Sequence, residues 1–140
     1  MPCCLPLLQD VQALAICCCK AASLLHQAGV VHRDIRLDNV AQLGKHRYML
    51  LDLETAAAAN ARALPSTFIP FTGWGNSVLD SHKRFTTMSD MHLIGALLEE
   101  VFSSSGIASA AASRAFIDKL KRKLLSATAA LNDPWLAQSV

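Results

Sequence analysis

The stretch of sequence that most constrains the fold is VVHRDIRLDNV, residues 30–40. Two valines lead into it and a third closes it, whereas Arg33, Asp34, Arg36 and Asp38 place four charges within six positions. The whole chain is 52% hydrophobic and 17% charged, so this density of charge is a local feature. A loop of this kind between apolar segments is either a solvated turn or a place where charge is held for chemistry.

An apolar helix is predicted before the charged stretch. Over residues 7–28 apolar side chains recur at the spacing of one helix face. They are Val11, Leu14, Ala15, Cys18, Ala22 and Leu25. Gly29 follows where a left-handed C-cap belongs, and the β-branched Val30 and Val31 then favour an extended segment.

A β-hairpin is predicted after the charged stretch. Residues 40–43 and 47–51 favour two short strands, with a Gly-Lys turn between them. The second strand ends on Asp52. Because the two strands of a hairpin run in opposite directions, we expect Asp52 to return close to Asn39. Two polar groups that are separated in the sequence therefore converge.

The C-terminal half is predicted to be helical. Ser89 is the predicted N-cap of an apolar helix over residues 89–102, with Asp90 in its first turn. Helices over residues 108–125 and 127–132 follow. In the first of these, one face is predicted to carry Phe116, Leu120 and Leu124. The predicted fold class is mainly α with one small β-hairpin, in a single domain of 140 residues.

The region between hairpin and helices, residues 53–88, shows no clear periodicity. Residues 56–63 are rich in alanine and favour either a loop or a loose helix. Prolines and glycines from Pro65 to Gly75 then predict a loop. Loops of this length in compact domains are usually functional or disordered.

Net charge argues against a nucleic-acid-binding protein. The formal charge is +2 and the pI is about 8.3. The one basic run, residues 119–123, contains Leu120 at helical spacing from Phe116, which is typical of the solvated face of a helix.

The cysteines predict a reducing compartment, and we expect a cytoplasmic protein. All five lie within the first nineteen residues, and an odd, contiguous set is a poor disulfide framework. Palmitoylation of Cys3 and Cys4 remains an alternative. The apolar run over residues 11–19 is too short to cross a bilayer and no basic segment precedes it, so neither a transmembrane segment nor a signal peptide is expected.

Four motifs in this order resemble the C-terminal lobe of eukaryotic protein kinases. Residues 32–39, HRDIRLDN, match the catalytic loop H-R-D-x-x-x-x-N. Residues 52–54, DLE, stand at the position of D-F-G and would open an activation segment over residues 52–80. SDMHLIG, residues 89–95, resembles the start of the central helix, and SATAALNDPWL, residues 126–136, resembles the closing segment. The resemblance implies one partial kinase domain over residues 1–140.

The resemblance implies a role in phosphoryl transfer for four side chains. Asp34 would accept or orient the proton of the substrate hydroxyl, and Arg36 would face the transferred phosphate. Asn39 and Asp52 would hold Mg²⁺ against the phosphates of ATP, since oxygen ligands suit this cation. The implied cofactors are Mg²⁺ and ATP, and the implied substrate is a protein.

Three further residues would be structural by the same resemblance. His32 would pack under the loop, and Asp90 would brace the loop backbone. Arg33 would be available to pair with a phosphate on the following segment. The candidates for that phosphate are Ser66, Thr67 and Thr72.

The sequence also departs from the kinase pattern. No Gly-rich loop, strand lysine or helix glutamate of the small lobe can be placed, so ATP binding by these residues alone is expected to be weak. Glu54 replaces the glycine of D-F-G. Val78 and Leu124 stand where kinases form a buried ion pair, and we expect them to lie within about 10 Å as an apolar pair.

Three functions remain open. The first is a kinase-like phosphotransferase whose small lobe comes from a partner or a longer chain. The second is a non-catalytic pseudokinase or kinase-lobe fragment that binds a partner protein. The third is a helical domain unrelated to kinases. In either kinase-like case, apolar surface is expected where the small lobe would sit, on the N-terminal helix with its cysteines.

Overall fold

The computed structural model describes residues 8–60 and 77–137. Five helices are described: α1 (Leu8–Gln27), α2 (Thr87–Ser105), α3 (Ala111–Lys121), α4 (Ala127–Leu131) and α5 (Pro134–Ala137). Four strands are described: β1 (Val30–Val31), β2 (Val40–Gly44), β3 (Arg47–Leu50) and β4 (Ala57–Ala58). A 3₁₀ turn over Leu37–Asn39 precedes β2. The predicted mainly helical fold with one small hairpin is confirmed.

Helix α2 lies at the centre of the core. Its apolar residues Met91, Ile94 and Leu98 are fully buried, in one cluster with side chains of α1, α3, α4 and α5. The helix begins two residues earlier than predicted. Thr86 is the N-cap, and its backbone N–H donates to Ser89 Oγ at 2.9 Å, so Ser89 is the third helical residue and not the cap. Gly106, at φ 71°, forms the left-handed C-cap.

Helix α1 combines an apolar composition with a buried face. It has 20 residues and a mean hydropathy of 1.3, enough by length and composition to cross a bilayer, although a nine-residue run was predicted to be too short. A buried core helix has the same composition, and α1 packs against α2, α4 and β3. Its buried residues are Val11, Gln12, Leu14, Ala15, Cys18, Cys19, Ala22 and Ser23.

The cysteines of α1 are thiols that belong to the core. Cys18 and Cys19 are buried and Cys17 is half-buried, with its thiol donating to the Tyr48 carbonyl at 3.2 Å. Burial raises the pKa of Cys17 and of Cys18, and it raises the pKa of Cys19 to about 12. Neutral thiols of this kind are small apolar side chains for packing purposes. Cys3 and Cys4, considered for palmitoylation, lie outside the described residues.

Two antiparallel strand pairs flank the charged loop. β2 pairs with β3 as predicted, with Val40 opposite Leu50. β1 pairs with β4, with Val31 opposite Ala57. The second pair was not predicted, because two alanines carry almost no strand signal and residues 56–63 favoured a loop or loose helix. The pairing with Val30–Val31, which is non-local, determines the conformation at Ala57–Ala58.

Val78 and Leu124 share no apolar cluster, and their predicted separation of less than about 10 Å stays a prediction. Val78 is buried with Val31 and Phe85, whereas Leu124 is 58% exposed and belongs to neither apolar cluster. Helix α3 ends at Lys121, before the predicted 125, so Leu124 does not continue the buried face of Phe116 and Leu120. The residue before Leu124 makes the contact with this segment instead: Lys123 Nζ donates to the Leu79 carbonyl at 3.1 Å.

The exposed apolar surface lies on the hairpin more than on α1. Val40, Tyr48 and Leu50 pack towards α1 and the core. Neighbouring side chains on the opposite side are exposed: Leu43 by 51%, Met49 by 45% and Leu51 by 40%. We call these three residues the outer hairpin face. On α1, Cys18 and Cys19 belong to the core whereas Leu8 and Leu24 are exposed, so the apolar patch expected on the N-terminal helix stays a prediction.

Candidate functional site

The buried carboxylate of Asp90 holds the backbone of the charged loop. Asp90 is fully buried at the start of α2. Its Oδ2 accepts from the His32 N–H at 2.9 Å and its Oδ1 accepts from the Arg33 N–H at 3.0 Å. A buried carboxylate is costly unless its oxygens are hydrogen-bonded, and these two amides satisfy both. The bracing role expected of Asp90 is the one that its contacts fit.

A third partner of Asp90 was missed from the sequence. His26, in the last turn of α1, lies with Nε2 2.9 Å from Asp90 Oδ2. The contact joins the end of α1 to the start of α2 through the loop between them. The only sequence signal was a histidine just before the helix end, and this position alone does not separate a ligand of Asp90 from a solvent-exposed side chain.

His32 acts as a rigid support beneath the loop. It is fully buried; its Nδ1 lies 3.2 Å from the Asp34 N–H and its Nε2 lies 2.9 Å from the Leu51 carbonyl. Since Nδ1 accepts from an amide, the ring proton is on Nε2 and donates to the carbonyl. The neutral ring thus links the loop to the end of the hairpin.

Arg33 is buried and fastens the loop to the following segment. Its backbone has φ 73°, in the left-handed region that few non-glycine residues adopt. Its Nε donates to the Thr55 carbonyl at 2.5 Å, and the Thr55 hydroxyl donates to the His32 carbonyl at 3.1 Å. Burial lowers the pKa of Arg33, and the charge of Asp90 opposes that shift. The phosphate-site candidates Ser66, Thr67 and Thr72 lie outside the described residues.

Asp34 and Asn39 form one polar unit at the mouth of the loop. The Asn39 amide Nδ2 donates both to the Asp34 carbonyl and to Asp34 Oδ2, each at 2.8 Å. Because the nitrogen is used in these bonds, the side-chain oxygen of Asn39 is the atom left to act as a ligand. Asp34 Oδ1 is buried and accepts no hydrogen bond from any residue in the two described ranges. Its nearest charged neighbour is the guanidinium of Arg36.

Arg36 lies between two carboxylates. Its Nε is 3.1 Å from Asp34 Oδ1, and its Nη1 donates to Asp38 Oδ2 at 3.0 Å. The Asp34 side chain is 12% exposed and the Asp38 side chain 79% exposed. The cation expected to face a phosphate is therefore next to the expected base, a contact that was not predicted from the sequence.

Asp52 lies beside Asn39 at the end of the hairpin. The Leu51 N–H donates to the Asn39 carbonyl at 2.7 Å, so the hairpin returns the chain as expected. Asp52 is exposed and has φ 64°. Its Oδ1 accepts from the Glu54 N–H at 3.1 Å, which fixes the carboxylate in a local turn.

The donor set at this mouth fits a magnesium ion bound together with phosphates. Within the described residues no group of three or more His, Cys, Asp and Glu side chains could hold a metal alone. Mg²⁺ commonly takes one or two protein oxygens and completes its shell with substrate phosphates and water. The Asn39 side-chain oxygen and the Asp52 carboxylate would supply such a pair, while Asp34 remains outside it.

Comparison with known proteins identifies the fold. No protein-family model and no curated sequence matches the chain. Among solved structures, it is similar to the titin kinase with its flanking domains (TM-score 0.72, 20% identity, 99% of this chain and 31% of that one). It is also similar to the ROP18 kinase domain in complex with AMP-PNP and sucrose (0.69, 16%, 92% and 41%) and to a rhoptry kinase from Toxoplasma gondii (0.68, 15%, 94% and 46%). The 140 residues therefore have the fold of a kinase C-terminal lobe and span less than half of each of these chains.

Proposed function

We propose that this chain, which has the fold of a protein-kinase C-terminal lobe, carries the catalytic loop of a phosphotransferase that acts on protein hydroxyl groups. The observation that carries the proposal is the pairing of Asp34 with Asn39 through two 2.8 Å hydrogen bonds, with the segment leading to Asp52 hydrogen-bonded to Asn39. The side chains proposed as base and as oxygen ligands thus lie on two backbone segments that are hydrogen-bonded to each other.

The residues of this chain would each have one task. Asp34 accepts the proton of the substrate hydroxyl as that oxygen attacks phosphorus, and the bond to the leaving ADP breaks. Arg36 offers positive charge to the phosphoryl oxygens during transfer. Bound Mg²⁺ and ATP would supply the phosphoryl group and its charge neutralisation, and Asn39 and Asp52 would hold the metal. His32, Arg33 and Asp90 keep the loop in place.

The nucleotide is expected to need a second lobe from outside these 140 residues. The outer hairpin face is the surface that a small lobe would cover, because its three large apolar side chains are exposed on the hairpin that leads to Asp52. Without a covering lobe, Mg·ATP contacts one side of its site only and binds weakly. A partner or another part of a longer polypeptide would supply it.

Calorimetric titration with Mg·ATP tests this function. We expect no more than millimolar affinity for the chain alone and at least tenfold tighter binding once a kinase small lobe is added in trans. Asp52→Ala removes a ligand and is expected to abolish the gain, whereas Asp118→Ala on the distant α3 is the matched control. Binding that Asp52→Ala leaves intact, or no gain with any small lobe, would contradict the proposal.

The second candidate is a non-catalytic interaction module in which the same outer hairpin face binds a partner protein. It is favoured by three large exposed apolar residues along one hairpin. No phosphoryl transfer with a bound small lobe, together with partner binding that depends on Met49, would establish it. For either function we propose a cytoplasmic location, since Cys18 and Cys19 are buried free thiols and Cys17 is a half-buried one.

A further inference from the structure

Arg36 is shared between two carboxylates that differ in their surroundings. The side chain lies between Asp34, two positions before it, and Asp38, two positions after it, at 3.1 and 3.0 Å. The 3₁₀ turn over Leu37–Asn39 produces this geometry, because it brings Asp38 back alongside the extended Arg36. Two negative charges thus compensate one positive charge at the position proposed to face a phosphate.

Of these two contacts of Arg36, the one with Asp38 is the weaker and is lost more easily. Asp38 is 79% exposed, so water and salt screen its attraction to Arg36, and such exposed pairs are weak. Asp34 is 12% exposed and is also hydrogen-bonded by Asn39, so its position is fixed. A phosphate dianion offers the guanidinium a higher charge and more acceptor oxygens than a single carboxylate.

We propose that Asp38 is a displaceable internal substitute for phosphate at Arg36, so that in the resting loop an exposed carboxylate occupies part of the anion site. A phosphate-type dianion, such as the terminal phosphate of a nucleotide, binds Arg36 by displacing Asp38 while Asp34 stays in place. This role rests on the proposed phosphoryl-transfer function, because it makes Arg36 the residue that meets the phosphate. It also makes Asp38 a regulator of that site.

The test follows the Arg36 Nε–Hε resonance by NMR during titration of the full chain with inorganic phosphate at fixed ionic strength. In Asp38→Asn we expect phosphate to bind at Arg36 about two- to fivefold more tightly than in the wild type, the range expected when one exposed ion pair is lost. The matched control is Asp118→Asn, because Asp118 forms an exposed pair with Arg122 at 3.4 Å on α3. It removes the same charge from the chain and should leave phosphate affinity at Arg36 unchanged.

Three results would overturn the role of Asp38. Equal tightening in both variants would show a general charge effect. Weaker binding in Asp38→Asn would show that Asp38 orients Arg36 for the anion instead of competing with it. The third result is an Arg36 signal that inorganic phosphate shifts in neither chain at up to about 100 mM, a concentration that would populate even a weak anion site. It would show that Arg36 is not an anion site. If phosphate binds as expected but Mg·ATP with a small lobe shows no gain, the proposed catalytic function fails while Asp38 keeps its role.

Discussion

The charged loop and the outer hairpin face are joined by one short strand, yet they differ in whether their side chains have partners within the described residues. In the loop the structure provides partners for polar groups: Asp90 for two amides, His32 for a third, Asn39 for Asp34. On the outer hairpin face large apolar side chains lie in solvent. The loop backbone is held by contacts within the described residues, whereas the apolar side chains of the neighbouring surface are uncovered, so we expect the site to depend on a covering partner and the loop geometry not to.

The largest effect is expected from Asp90→Ala, which removes the centre of the loop network. It leaves the amides of His32 and Arg33 without their acceptor in a buried place, at a cost of about 3–5 kcal/mol in the free energy of unfolding. Urea denaturation measures the change. Asp118→Ala, an exposed carboxylate of α3, should stay within about 0.5 kcal/mol. Similar losses for both variants would mean that Asp90 has no special place in the loop.

The next effect is a fall in stability at alkaline pH caused by the core thiols of α1. The folded-state pKa values of Cys18 and Cys19 are raised by burial, that of Cys19 to about 12. Their stabilisation is complete below the unfolded thiol pKa of about 8.5 and is lost as pH rises towards the folded value, because only the unfolded chain releases these protons. We expect a slope of about 1.4 kcal/mol per pH unit for each thiol.

Unfolding free energies between pH 8 and 10.5 measure that slope. Cys18→Ala with Cys19→Ala should flatten it even if the variant is less stable at pH 7, while Cys17→Ala, at a half-buried position, should flatten it less. An unchanged slope in the double variant would show that other groups cause the alkaline loss.

A smaller effect is expected from His26→Phe. The change removes one of the hydrogen bonds to Asp90 Oδ2 and should cost about 1–2 kcal/mol, with shifts of the His32 and Arg33 amide resonances. His26→Gln keeps a side-chain N–H donor and should recover part of the loss. The control is His46→Phe, which removes a hydrogen bond with Asp10 at 2.7 Å at the other end of α1. Loop amides that move equally in both variants would refute the link through His26.

The accuracy of the sequence predictions differs between local and non-local features. The apolar spacing of α1 and α2 and the hairpin came from local pattern, and the charged loop was recognised from motif spacing. The β1–β4 pair and the contact of His26 with Asp90 join residues 26 to 64 positions apart, and the exposure of Leu124 likewise depends on tertiary packing. A single sequence carries little information on such contacts, because alanine, leucine and histidine each suit several environments.

The smallest change in stability is expected from Leu43→Lys with Met49→Lys. This variant also tests most directly whether the outer hairpin face, unlike the charged loop, needs a partner. Both side chains are about half exposed, so the free energy of unfolding should change by no more than about 0.5 kcal/mol. Self-association in analytical ultracentrifugation and binding of a small lobe should both fall, because a covering partner would then bury two charges. Leu24→Lys with Leu124→Lys, at leucines 70% and 58% exposed elsewhere, is the matched control. If both double variants reduce association equally, the outer hairpin face is ordinary apolar surface, and the dependence of the loop on a partner at that face is lost with it.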